Sequence, residues 1–83
     1  MHGDVVWYDQ ELRVALIARL DGFTIGTVER GQLAIGLRVQ GDLRTPGPVI
    51  LTELITGQNL LFTVEAEAMT EEDANGLLGF ARG

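Results

Sequence analysis

Eighty-three residues and 9.0 kDa allow one small domain spanning 1–83, with no room within them for a catalytic domain plus a second module. The chain has no Cys, no Ser and no Lys; its basic side chains are six Arg and one His, against twelve Asp and Glu, for a net charge of −6. These absences remove disulfides, a Cys–His zinc site, the commonest acyl-transfer nucleophiles, Schiff-base chemistry and the phosphate-binding Lys of a P-loop.

The composition is unusually apolar for such a short chain, 46% hydrophobic with a mean hydropathy of +0.17. A domain this small leaves much of its surface exposed, and burial against a second subunit is a common staple for small scaffolds. The longest apolar run, residues 14–18, falls far short of the ~18 needed for a membrane helix. The first residues carry no signal-peptide pattern, so the expectation is a cytoplasmic protein, bacterial or phage in its codon-like composition. Residues 1–40 hold five acids and four Arg, whereas residues 41–83 hold seven acids and two Arg. That balance disfavours direct binding to a phosphate backbone and allows a basic protein partner.

Along the chain, Asp4 to Tyr8 forms a short leading strand, turned by Asp9-Gln10-Glu11. Its adjacent aromatics, Trp7 and Tyr8, point to opposite faces. Residues 12–20 satisfy two patterns. As a strand, Leu12, Val14, Leu16, Ala18 and Leu20 share one face and both Arg lie on the other; as a helix, 10–21 runs from an Asp9 cap to a Gly22 stop. The strand is preferred, with Asp21-Gly22 as a two-residue turn pairing Leu20 with Phe23 and Ala18 with Ile25.

Residues 32–39 alternate cleanly, with Leu33, Ile35, Leu37 and Val39 on one face. A bulged loop at Glu29-Arg30-Gly31 pairs this strand with 23–28, setting Ile25 against Ile35 and Phe23 against Leu37. Gly41 to Pro48 is the longest irregular stretch, with Leu43 and Arg44 as its partner-contact candidates.

Residues 49–56 also satisfy two patterns. One is a helix after Pro48, with Ile50, Leu51, Leu54 and Ile55 at helical spacing and Gly57 as its stop. The other, preferred, is one arm of a hairpin turning at Gly57-Gln58, which pairs Ile55 with Leu60 and Leu51 with Val64. This register places Glu53 on the apolar face opposite Phe62, a possible buried charge in need of Arg13, Arg19 or Arg38. The chain ends in a helix capped by Thr70, with Glu71, Glu72 and Asp73 in its first turn and Ala74, Leu77, Leu78 and Ala81 on one face.

The expected fold is α+β: a small, mostly antiparallel β meander of five or six strands with one C-terminal helix. The expected function is non-enzymatic, without cofactor or metal: an interaction module that self-associates as a dimer or larger homo-oligomer. Ile50, Leu54 and Leu61 from the sheet and Leu77, Leu78 and Phe80 from the helix are its interface candidates. The alternative is a small acidic inhibitor occupying a basic surface of its target through Glu65, Glu67, Glu71, Glu72 and Asp73. A third reading, a small-ligand carrier with Arg13, Arg19 or Arg38 lining a pocket, has no motif behind it.

Overall fold

A computed structural model of the chain describes residues 1–70 and 72–76. Six strands, β1 (His2–Asp9), β2 (Val14–Arg19), β3 (Gly22–Arg30), β4 (Arg38–Gln40), β5 (Gly47–Glu53) and β6 (Asn59–Ala68), close into a barrel in the order β1-β2-β3-β6-β5-β4. A short helix, α1 (72–76), follows. All neighbouring strands are antiparallel, so the molecule is two three-stranded meanders, β1–β3 and β4–β6, sealed by the β3–β6 and β1–β4 pairings. The expected antiparallel sheet and short C-terminal helix are present; closure of the sheet on itself was not part of that expectation.

Closure hides the strand edges that an open meander of this size would expose. The interior is filled by Val5, Ala15, Ile17, Val28, Val39, Leu51, Leu60, Phe62 and Val64, with Leu33 and Leu43 entering from loops. The Phe62 ring lies across β3 at Gly26, where a Cβ would come within 2.4 Å of Cε2, so only glycine leaves room for it. Gly3 does the same for Ile17 and Leu43: a Cβ there would meet Ile17 Cγ2 at 2.3 Å and Leu43 Cδ1 at 2.9 Å.

Residues 32–39 are not the long strand that their alternation suggests. Both edges of β3 are taken, by β2 and β6, so no edge remains for β4. Gly31 (φ 99°) and Gly36 (φ 93°) turn the segment across the end of the barrel, where Leu33 drops into the core and Ile35 is left exposed. Only Arg38–Gln40 pairs as a strand, and its partners are β1 and β5.

Residues 14–19 form a strand, and no helix occupies 10–21. Both of its faces are buried, however. Ala15 and Ile17 enter the barrel, while Val14 and Leu16 join Ile25, Ala68 and Ala74 in a second apolar cluster on the outside. Tyr8 packs on the inner cluster and Trp7 on the outer, as adjacent strand residues should. The outer cluster exists because β6 carries a bulge at Glu65: Val64 pairs with Gly26 but Ala66 pairs with Ile25. The extra residue turns Ala66 and Ala68 outward, reversing the alternation. Thr70 caps α1, its hydroxyl accepting from the Asp73 N–H at 3.1 Å, and Ala74 is buried against the outer cluster. Leu77, Leu78 and Phe80 lie outside the described residues.

Both hairpin turns sit earlier than expected. Arg19 pairs with Gly22, so Leu20-Asp21 is the β2–β3 turn, and Ala18 faces Phe23 rather than Ile25. In β5–β6, Leu51 faces Leu60 and Val49 faces Phe62, so the loop is Leu54 to Gly57. That loop closes through Glu53 N–H to the Gln58 carbonyl and Gly57 N–H to the Glu53 carbonyl, both 2.8 Å, with Gly57 at φ 75°.

Candidate functional site

Three features stand out on this barrel: a charged end, a buried carboxylate at the opposite end, and an uncharged hairpin surface.

The charged end gathers around the β2–β3 turn. Arg19 continues the inward row of Ala15 and Ile17, so its side chain rises through the barrel mouth and is only 2% exposed. Its Nη1 donates to Glu67 Oε1 at 2.5 Å. Glu67 reaches it because the β6 bulge aligns Glu67 with Thr24, an inward position of β3. Arg19 Nε is buried without a hydrogen-bond partner, and Asp21 Oδ1 is 3.9 Å away from it. A buried donor left unpaired costs roughly 1–3 kcal/mol. Asp21 is itself ion-paired to Arg44, and Arg38 pairs with Asp4 at 2.9 Å. Two clefts of about 460 Å³ flank Arg19 and Leu20: one reaches Asp4 and Arg38, the other Met1, Asp21 and Arg44, and His2 lines both.

The loop 41–46 explains both residues proposed as its contacts. Leu43 is fully buried, plugging this end, and its carbonyl accepts from the buried Thr24 hydroxyl at 2.7 Å. It is a core residue rather than a partner contact, because the barrel mouth needs an apolar stopper that the strands do not supply. Arg44 stays about half exposed. The Thr45 hydroxyl, then the N–H groups of Arg44 and Thr45, hold the Asp42 carboxyl below its ordinary pKa and fix the turn between them.

At the opposite end Glu53 is 5% exposed, as its place among apolar neighbours implied, but no Arg approaches it. The expected ion pair with Arg13, Arg19 or Arg38 is absent. Its carboxylate instead accepts from the Thr56 hydroxyl at 2.5 Å and from the N–H groups of Ile55 and Thr56 at 2.8 and 2.7 Å. These bonds, the Thr56 hydroxyl foremost, lower its pKa. Arg13, also assigned to a ligand pocket in one reading, donates to the Gly31 carbonyl and holds the β3–β4 crossing.

The hairpin surface carries exposed apolar side chains between two polar pairs, Thr52 hydrogen-bonded to Asn59 and Thr63 donating to Glu29. Ile50 is 57%, Leu54 39% and Ile55 84% exposed, and Leu61, half-buried, stands opposite Ile50. The acidic run is dispersed. Glu67 is engaged by Arg19, Glu65 accepts from the Thr27 hydroxyl at 2.8 Å, Glu72 and Asp73 are exposed, and Glu71 lies outside the described residues.

Sequence reasoning offered Arg19 as an ion-pair partner for Glu53 or as a pocket-lining residue, on the strand face opposite Val14 and Leu16. It did not place the guanidinium in this mouth of the barrel beside Glu67, although the two-residue spacing from Ala15 through Ile17 to Arg19 was a signal for an inward side chain. Among the described residues no group of three or more His, Asp or Glu is placed to hold a metal, and no helix is long and apolar enough to cross a membrane. The fold and these features define a small closed antiparallel barrel with one charged mouth and one apolar hairpin face. No family model matches the chain, and no curated protein or solved structure matches it either.

Proposed function

We propose that this domain is an assembly module whose partner is a second copy of itself, joined through the outer face of the β5–β6 hairpin. One observation carries the reading. From Gly47 to Val64 the only charged residue is Glu53, and its carboxylate is consumed by its own loop, while Ile50, Leu54 and Ile55 stand exposed on either side. Two copies that each carry −6 repel over most of their surfaces. The hairpin is a face that brings few charges together, Glu29 at its β3 border being hydrogen-bonded to Thr63, and a twofold pairing would place the same patch on both sides. A standard interface takes ~800 Å² from each partner, about a sixth of the 5073 Å² surface of the described chain.

Absolute mass by size-exclusion chromatography with light scattering tests this at ~0.1 M and ~0.5 M salt. A dimer or larger species that persists at the higher salt is expected, because apolar contact is not screened. Ile50→Asp and Leu61→Asp each reduce it to the 9.0 kDa monomer. A wild-type monomer at both salts, or an assembly indifferent to Ile50→Asp, overturns the reading.

A further inference from the structure

Four of the seven basic side chains in the sequence, His2, Arg19, Arg38 and Arg44, line the two clefts that meet at Arg19 and Leu20. Three carboxylates answer them: Asp4 on Arg38, Asp21 on Arg44 and Glu67 on Arg19. The pairing is incomplete at one place. Glu67 engages Nη1 of Arg19, and Nε is buried with no acceptor, 3.9 Å from Asp21 Oδ1. A guanidinium presents Nε and a terminal nitrogen as a planar fork, the geometry that carboxylate and phosphate groups accept in two parallel bonds.

The geometry points to an oxyanion-binding site at this mouth of the barrel, for a carboxylate or phosphate group on a small molecule. The incoming oxygens accept from Arg19 Nε and from the Arg44 guanidinium. Asp21, which stands between these two cations, is the resident competitor: it pairs with Arg44, lies too far from Arg19 to bond it, and is 45% exposed at the tip of a two-residue turn. Binding exchanges Asp21 for the ligand and returns the aspartate to water. Leu20, fully exposed beside it, offers an apolar wall to the body of an organic anion.

The test is a titration of the ¹⁵N-labelled full chain with acetate and, separately, inorganic phosphate, at constant ionic strength. Saturable shifts confined to Ala18, Leu20, Asp21, Gly22 and Arg44 are expected. Asp21→Asn removes the competitor without removing a donor, and tightens binding by about fivefold or more. Arg44→Gln weakens it by a similar factor, and the spectra show directly that each variant is folded. Saturation by acetate alone assigns a carboxylate ligand and by phosphate alone a phosphate; either sustains the site. Linear shifts spread over the surface, or a midpoint that neither variant moves, overturn it.

Discussion

Each mouth of the barrel closes over one apolar plug and one buried charge, and the two charges are housed in opposite ways. At the β5–β6 end, Glu53 receives two N–H groups and a hydroxyl from the loop that it nucleates. All of its donors come from the next three residues, so the carboxylate and its solvation fold as one local unit. At the β2–β3 end, Arg19 depends on Glu67, forty-eight residues away, and still keeps an N–H without a partner. A charge satisfied by its own loop has finished its work in shaping that loop. A charge held inward by long-range packing with a donor left over is the observation on which the proposed oxyanion site rests.

The plugs give the largest expected effect. Leu43 is completely buried and Leu33 is 6% exposed, so each truncation opens a cavity at one mouth. Leu→Ala in a core costs about 2–5 kcal/mol, and Leu43→Ala is expected in the upper part of that range. Leu43 is also tied to the barrel by the Thr24 hydroxyl and fitted against Gly3, so its site collapses less readily. Leu33 sits on a crossing segment outside the strand ladders and keeps slightly more exposure than Leu43, so Leu33→Ala falls lower in the range. Urea denaturation of the two variants checks the order; equal losses would mean that both mouths are equally rigid.

Glu53→Gln is the next largest. The folded carboxyl titrates below its ordinary value, so the ionised form binds the native state better than the unfolded one. The stabilisation is present in full above the ordinary carboxylate range, ~4 to 4.5. It is lost as pH falls through the lowered folded pKa. A Gln still offers one acceptor oxygen but no charge, so the variant melts lower than wild type at neutral pH, and the gap narrows as acid protonates wild-type Glu53. Melting curves from pH 7 down to pH 3 read this directly. A gap that stays constant with pH would show that the loop needs the shape of the side chain and not its charge.

How much of this could be read from the sequence follows from what a period of two encodes. It assigns faces: Val14 with Leu16, Leu60 with Phe62 and Val64, and Trp7 against Tyr8 were all legible. It does not assign partners. The alternation in 32–39 was strong, yet β3 already had two neighbours, and two left-handed glycines sent the segment across the mouth instead. Closure was invisible for the same reason, because the β3–β6 and β1–β4 seams join residues far apart in the chain. Turn placement failed at Leu20-Asp21 and at Leu54 to Gly57 for a different one: the glycine of each motif sits at the end of the turn rather than inside the two-residue pattern expected of it. Glu53 was recognised as a misfit on an apolar face, but its solution was local hydrogen bonding, which face arithmetic does not contain. Arg19 was named as a partner for Glu53, but its true partner, Glu67, was not legible, because that contact depends on the β3–β6 seam and on the bulge in β6.

The smallest expected effect sharpens the contrast between the two charges most. Arg19→Met keeps an unbranched, flexible side chain of similar length in the barrel mouth and removes the unpaired N–H. Replacing a buried ionic group by an apolar side chain of similar volume is often neutral or stabilising. The usual penalty for deleting one partner does not apply in full here, because Glu67 is 42% exposed and water can solvate it once the guanidinium is gone. The stability change is therefore expected to stay within ~1 kcal/mol of wild type, while the response to acetate or phosphate at Leu20, Asp21 and Gly22 disappears. A loss above ~3 kcal/mol would put Arg19 in the same class as Glu53, a charge whose role is the fold. Near-neutral stability together with a lost anion response would separate the two ends by function as well as by chemistry.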